Sequence, residues 1–73
     1  MDMRKLVGSN VRRNRLKKGL TQEDLAEQSG YSQQYLSKLE QGLSNPTVIT
    51  LFEIATALGV SHMDLVRPPQ SRK

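Results

Sequence analysis

The chain has 73 residues and a mass of 8.2 kDa, with 36% hydrophobic and 25% charged residues, as is typical of one small folded domain. It contains no cysteine and a single histidine, which excludes disulfides, thiolate metal sites and a histidine cluster for a metal ion. Its length excludes a large enzyme, and its apolar runs fall far short of the ~20 residues that cross a membrane.

The net charge of +4 is unevenly distributed along the chain. Residues 1–18 carry seven basic residues and one acidic residue, whereas residues 19–73 carry four basic and six acidic residues. A basic segment on a nearly neutral body indicates a polyanionic partner, and a solvated helix face is the alternative interpretation.

Glycine and proline divide the chain into helix-sized segments, most of which open with a residue that favours helix N-caps. The first is preceded by Asp2 and followed by Gly19, and the last opens at Ser61, is anchored by Leu65 and stops before Pro68. No segment alternates with a period of two, so strands are not predicted. We therefore predict an all-α, compact five-helix domain over residues 1–67 and a polar, basic tail over residues 68–73. The predicted helices span residues 3–18, 21–29, 32–41, 47–58 and 61–67.

The second and third predicted helices are joined by a short turn around Gly30, which is typical of a helix-turn-helix. The third helix has Leu36 and Leu39 on one face and amide, hydroxyl and lysine side chains on the opposite face. Amide and hydroxyl groups of this kind form hydrogen bonds with base edges in the major groove of DNA. The candidate base-reading residues are Gln33, Gln34, Ser37 and Lys38.

Five short stretches carry a family resemblance: LTQEDLA at 20–26, SGYS at 29–32, LSKLEQG at 36–42, NPT at 45–47 and ALGVS at 57–61. In this order the chain resembles the lambda-repressor-like, Cro-type (xenobiotic-response-element) helix-turn-helix regulators of bacteria and phages. The resemblance extends from about Val7 to Val66. It implies a cytoplasmic, nucleoid-associated regulator that binds double-stranded DNA without a cofactor and inserts its third helix into the major groove.

The resemblance also implies which residues touch the DNA backbone. Gln22 would meet a phosphate at the start of the second helix, where the helix dipole favours an anion, and it can also brace Gln33. Arg12 is included because its basic segment directly precedes the helix-turn-helix. The predicted phosphate contacts are Thr21, Gln22, Ser32, Arg12, Ser44, Asn45 and Thr47.

Arg15 and Glu40 occupy positions that members of the family tend to join by an ion pair. Independently, Arg15 continues the apolar stripe of Val7 and Val11 at a spacing of four residues, which places a charge in the core. Because a buried charge needs a partner, we expect a structural ion pair rather than a DNA contact.

Two residues depart from the family pattern. Leu43 stands where a lysine often contacts phosphate, which weakens the expectation of side-chain contacts from that loop. Tyr35 is larger than the small polar residue often present at its position. We expect it to pack beside Leu39 rather than touch a thymine methyl group.

One such domain makes few DNA contacts, and specificity is usually gained by a two-fold dimer on half-sites ~34–36 Å apart. The last two predicted helices carry apolar side chains beside their inward stripe, of which Ile49 is the most suggestive. Scattered surface hydrophobes are the alternative interpretation. The candidate dimer contacts are Ile49, Phe52, His62, Met63 and Val66.

The predicted function is a transcriptional repressor that binds a palindromic operator as a homodimer. Alternatives within this class are a restriction–modification controller acting as an activator and an antitoxin. An alternative outside it is a protein-interaction module that binds a toxin or another protein. Glu23, Asp24 and Glu27 form an acidic patch that serves capping and solubility or, alternatively, contacts RNA polymerase. Neither paired catalytic groups nor a glycine-rich phosphate loop occurs, so the sequence predicts no enzymatic activity.

Overall fold

The computed structural model describes residues 2–69, so residues 70–73 of the predicted tail lie outside the described part of the chain. Four α-helices and one short 3-10 turn follow one another, and no strand occurs within residues 2–69. The prediction of an all-α fold is therefore confirmed for these residues. The helices are α1 (Met3–Lys17), α2 (Gln22–Ser29), α3 (Gln33–Glu40) and α4 (Val48–Leu58), and the turn spans His62–Leu65.

The prediction of a fifth helix is wrong, because its segment forms only a four-residue 3-10 turn. Its backbone hydrogen bonds span three residues, from Asp64 N to the Ser61 carbonyl (2.9 Å) and from Val66 N to the Met63 carbonyl (3.1 Å). Pro68 disfavours a helical conformation at the residue before it and supplies no N–H of its own. Too few residues remain between the Ser61 cap and this proline for an α-helix to propagate.

Every helix begins directly after a side chain that caps its first turn. The residues that we predicted to open the second, third and fourth helices are the N-caps themselves, and each helix starts one residue later. Their hydroxyl oxygens accept hydrogen bonds from backbone N–H groups that have no partner inside the helix. The caps are Asp2, Thr21, Ser32, Thr47 and Ser61.

One hydrophobic core receives side chains from all five elements. Leu36 and Leu39 point into it as predicted, and each fully buried leucine contributes roughly 1.5–3 kcal/mol. On α4, Thr50 is buried whereas Leu51 is only half-buried. The core residues are Val7, Val11, Leu25, Leu36, Leu39, Ile54, Ala55, Leu58 and Leu65.

Helix α1 approaches the end of α3 so closely that only a glycine fits at the contact. A methyl group on Gly8 would overlap the Leu39 carbonyl oxygen and lie 2.9 Å from the Glu40 carbonyl oxygen. These contacts are with backbone atoms, which cannot move aside as a flexible side chain would. Gly8 therefore sets the distance between the two helices.

A buried amide joins α1 to the 3-10 turn. Asn10 is fully buried, and its Nδ2 donates to the carbonyls of Leu65 (3.0 Å) and Arg67 (2.8 Å). Its Oδ1 accepts a hydrogen bond from the Arg13 guanidinium. Both ends of the amide are thus satisfied, as a buried polar group requires.

We expect Gly8→Ala to lower the free energy of unfolding by roughly 1–3 kcal/mol, because the added methyl group overpacks a backbone contact. In an ordinary helix position the same change would stabilise the protein by roughly 0.5–1 kcal/mol. Urea denaturation followed by circular dichroism measures the difference. Ser9→Ala, at the neighbouring exposed position, is the matched control and should change stability by less than about 0.5 kcal/mol. A stabilised Gly8→Ala variant would contradict the close approach of α1 and α3.

Candidate nucleic-acid interface

The outward face of α3 forms a shallow concavity with the start of α2 and the loop after α3. The four candidate base-reading residues lie together in it: Gln33, Gln34 and Lys38 are exposed, and Ser37 is half-buried. Three residues that we had not assigned to base reading complete the surface. Its lining consists of Gln22, Gln33, Gln34, Ser37, Lys38, Gln41 and Leu43.

Most side chains of this face retain their hydrogen-bonding capacity. Within residues 2–69, no internal side-chain hydrogen bond occupies Gln33, Gln34 or Lys38. The Gln41 Nε2 donates to the Ser37 Oγ and to the Ser37 carbonyl, both at 3.1 Å. Because an oxygen accepts that bond, the Ser37 hydroxyl hydrogen is still available to a ligand.

Behind this face, Arg15 and Glu40 form a bidentate ion pair between α1 and α3. The Arg15 Nε lies 2.7 Å from Glu40 Oε2, and Nη2 lies 3.0 Å from Oε1. Only 9% and 3% of the two side chains are exposed, respectively. The hydrogen bonds that Arg15 donates to the Glu40 carboxylate favour the charged guanidinium and raise the pKa of Arg15 further.

The same ion pair also holds α2. The Gln22 Nε2 donates to Glu40 Oε1 (3.0 Å), whereas we had suggested that Gln22 braces Gln33. A fourth bond runs from the Arg15 Nη1 to the Leu20 carbonyl (2.8 Å), just before α2 begins. The network therefore fixes α2 and α3 relative to α1, and with them the concavity.

The capping hydroxyls of α2 and α3 lie at the two helix starts beside this surface. The Thr21 Oγ1 accepts from Asp24 N and the Ser32 Oγ accepts from Tyr35 N, both at 3.0 Å. Each hydroxyl keeps its own hydrogen for an external acceptor. The Thr21 backbone N–H in turn donates to the Asp24 carboxylate and lowers the pKa of that group.

The third capping hydroxyl, Thr47, belongs to a chain of hydrogen bonds. The Tyr31 Oη lies 2.6 Å from Glu53 Oε1 and 3.1 Å from Thr50 Oγ1, and the Thr50 Oγ1 lies 3.0 Å from Thr47 Oγ1. An ionised carboxylate only accepts hydrogen bonds, so the phenol donates to Glu53 and Thr50 donates to the phenol. The Thr47 hydrogen is then directed to Thr50, which leaves this residue less able to donate to a phosphate.

Tyr35 packs against a neighbouring aromatic ring at the edge of α3. Its ring stacks on Tyr31, with the centroids 5.2 Å apart and the planes inclined by 27°. Burial raises the pKa of Tyr35. Packing is thus the role of this ring, with Tyr31 as its aromatic partner.

The loop after α3 contains the remaining phosphate candidates. Ser44 is half-buried and Asn45 is exposed, while Arg12 is exposed on α1. The structure adds Lys5, because Gly42 has φ +80° and a methyl group there would lie 2.8 Å from the Lys5 Cγ. Lys5 and Gly42 are far apart in the chain. The only signals in the sequence were that Lys5 belongs to the basic segment and that Gly42 begins a loop with predicted phosphate contacts.

Four of the five candidate dimer residues lie on an exposed surface of α4 and the 3-10 turn. Ile49, Phe52 and Met63 are 70%, 59% and 56% exposed, and the Phe52 ring lies 6.3 Å from that of His62. Val66 differs, because it is half-buried against the core. Val48, which we had not predicted to be a dimer contact, is 75% exposed.

Residues 11–65 match the HTH_3 helix-turn-helix family. The chain belongs to this family. The resemblance of its five stretches to helix-turn-helix regulators is thereby confirmed. Within residues 2–69, none of the helices is long and apolar enough to cross a membrane.

Two individual proteins are similar to most of the chain. The HTH-type transcriptional regulator y4dJ of Sinorhizobium fredii, itself uncharacterized, is 69% identical over 68 residues, which cover 93% of this chain and 88% of y4dJ. The crystal structure of the hypothetical transcription factor NHTF from Neisseria is 37% identical, with a TM-score of 0.89, over 93% of this chain and 78% of that one.

A third similarity is to a protein solved with DNA. The restriction–modification controller protein C.Esp1396I was crystallised as a tetramer in complex with its natural 35 base-pair operator. It is 34% identical, with a TM-score of 0.81, over 89% of this chain and 86% of that one. This HTH_3 chain is therefore grouped with transcriptional regulators by sequence and by fold.

We expect Glu40→Ala to lower the free energy of unfolding by about 3–5 kcal/mol, because it leaves the buried Arg15 guanidinium without an oppositely charged partner. The double variant Arg15→Met/Glu40→Leu removes both charges and should recover most of that loss. Gln22→Ala, which removes one neutral donor, should cost about 1 kcal/mol. Urea denaturation of the three variants measures these differences, and equal losses in the single and double variants would contradict the proposed cost of the unpaired charge.

Proposed function

We propose that this protein is a sequence-specific, double-stranded DNA-binding transcriptional repressor that acts as a homodimer on a palindromic operator. The observation that carries the proposal is the α3 face, where two adjacent glutamine amides and a lysine lie exposed and make no side-chain hydrogen bond to any residue within 2–69. Membership in the HTH_3 family and the similarity to an operator-bound controller protein support the same choice of ligand.

In this proposal α3 enters the major groove and its side chains read base edges. Gln33 and Gln34 each present an amide that can bind adenine through N6 and N7 at once, and Lys38 prefers guanine O6 and N7. The Ser37 hydroxyl, held by Gln41, donates to an acceptor on a base. The network of Arg15, Glu40 and Gln22 keeps these groups in place before DNA arrives.

The surrounding residues bind phosphates and set the register of α3 on the duplex. Thr21 and Ser32 donate their free hydroxyl hydrogens, and Gln22 lies at the positive end of the α2 dipole. Ser44, Asn45 and Thr47 follow the backbone along the loop, Thr47 chiefly through its main chain. Arg12 adds a positive charge from α1.

Lys5 joins this set because its aliphatic stem rests on Gly42. It supplies a positive charge beside a loop in which Leu43 is 64% exposed and apolar. Leu43 itself occupies the position where the family often has a lysine. We assign to Lys5 the phosphate contact that Leu43 cannot make.

A dimer would use the exposed apolar surface of α4 and the 3-10 turn. Ile49, Phe52, His62 and Met63 form its centre, and Val48 extends it, while Val66 supports it from below. Large exposed apolar side chains grouped on one surface are typical of contact sites between proteins. Two copies joined there would each present one α3 to a half-site.

A restriction–modification controller is the second candidate, and the similarity to C.Esp1396I favours it. The two functions use the same reading face and differ in the arrangement of their binding sites. A repressor dimer needs one palindrome, whereas a tetramer of two dimers needs two adjacent ones.

Selection of random duplex DNA by the purified protein at ~150 mM salt tests the proposal. We expect a palindrome with half-sites one helical turn apart, and two such palindromes in tandem would favour the controller. Gln33→Ala or Gln34→Ala should weaken binding to the selected site by roughly 1–3 kcal/mol and relax one base position.

Two outcomes would contradict base reading by α3. Selection of no sequence by the folded protein would favour the protein-interaction module. Equal losses on selected and random DNA would mean that these glutamines contribute only general affinity. Gln28→Ala, an exposed glutamine of α2 outside the concavity, is the matched control and should leave both affinities unchanged.

A separate prediction concerns Lys5. We expect Lys5→Met to flatten the dependence of log K on log salt by about 0.9, equally on operator and random DNA, because one phosphate contact is lost. Leu43→Lys introduced into that variant should restore the slope. Lys18→Met, at the other end of α1, is the control. An unchanged slope for Lys5→Met would make Lys5 a solvated residue.

A further inference from the structure

A second concavity lies between the last turns of α1 and the 3-10 turn, away from the α3 surface. Its volume is about 600 Å³, within the range of roughly 300–1,000 Å³ that is typical of small-molecule sites. Its described lining residues all belong to α1 or to the chain after α4. The lining consists of Arg13, Asn14, Lys17, Val60, Asp64, Arg67, Pro68 and Pro69.

Among residues 2–69, the lining of this cleft has a surplus of two positive charges. Asp64 is the single acidic residue in the described part of this lining, and its carboxylate already accepts hydrogen bonds from the Ser61 backbone N–H (3.1 Å) and the Arg67 guanidinium. Arg13 bonds to the neutral amide of Asn10. Within residues 2–69, no carboxylate lies within ion-pair distance of Arg13 or Lys17. A concave surface with unbalanced charge concentrates ions of the opposite sign.

The floor of the cleft is rigid. The Asn10 amide bonds to the carbonyls of Leu65 and Arg67 and, through its oxygen, to the Arg13 guanidinium. The Asn14 Nδ2 donates to the Asn10 carbonyl (2.8 Å) and holds the neighbouring turn. One edge of Arg13 is thus anchored, and its remaining N–H groups are available in the fork arrangement that suits oxyanions.

The cleft is separate from the proposed DNA-binding surface. At 100° per residue, Arg13 and Lys17 lie on the face of α1 that also carries Asn10, and this face contacts the 3-10 turn. Gly8 and Arg15, which contact α3, lie on a different face. DNA bound along α3 therefore leaves the charges of the cleft unneutralised.

We propose that this cleft is a binding site for a small ligand that carries a phosphate or carboxylate oxyanion. Arg13 and Lys17 bind the oxyanion, Arg67 contributes a second guanidinium from the opposite wall, and the prolines border its less polar part. The site depends on no feature of the α3 face, so this proposal stands or falls independently of the proposed function.

Backbone amide NMR shifts of the 73-residue protein, titrated without DNA, test the site. Inorganic phosphate and succinate serve as probes, with the ionic strength held constant by chloride. We expect saturable shifts confined to residues 10–17 and 60–67, because Pro68 and Pro69 have no backbone N–H. A response to phosphate alone indicates a phosphate-bearing ligand, and a response to succinate alone indicates a dicarboxylate; either result supports the site.

Lys17→Gln should weaken binding of the responding probe at least about tenfold, because a charge-assisted contact is lost. This variant removes no internal hydrogen bond described above, so it should fold normally. Lys18→Gln makes the same charge change outside the cleft and should retain the affinity of the wild type. Shifts that do not saturate, that map only to α2 and α3, or that decline equally in both variants would overturn the proposal.

Discussion

The guanidinium of Arg15 lies where α1, α2 and α3 meet, and the arrangement of these helices depends on how its charge is compensated. Removing two charges from water costs several kcal/mol per ion, which a single contact would not offset. Glu40 accepts three hydrogen bonds from Arg15 and Gln22, and the Leu20 carbonyl accepts a fourth bond from Arg15. Hydrogen bonds have directions that leucine contacts lack, so this network defines the angle between α2 and α3 as well as their proximity.

The sequence predicts those features that are encoded within one segment of the chain. Helix-capping residues such as Thr21 act on backbone groups three positions away, and the positions of Leu36 and Leu39 follow from helical periodicity. The prediction of a fifth helix was wrong for a reason that is also local, because too few residues lie between Ser61 and Pro68 for an α-helix to form. A capping residue alone therefore does not show that a helix follows.

Apart from the predicted ion pair of Arg15 and Glu40, the contacts between distant segments escaped prediction. No motif in the sequence marks Gly8 as a packing residue. Glycine is required there because the carbonyl groups at the end of α3 face it. Asn10 resembles an ordinary polar helix residue until its amide is seen to hold the 3-10 turn. The four candidate base-reading residues were identifiable together because they share one helix face, whereas Lys5 meets Gly42 only through the tertiary fold.

The hydrogen-bond chain from Glu53 through Tyr31 and Thr50 to Thr47 links the turn before α3 to the first half of α4. In a dimer built on α4, each α3 would thus be held at a fixed position relative to the dimer contact. The distance between the two α3 helices could then not adjust to half-sites that are slightly out of phase. The DNA must twist or bend instead, so base pairs at the operator centre would be discriminated by their stiffness without being touched.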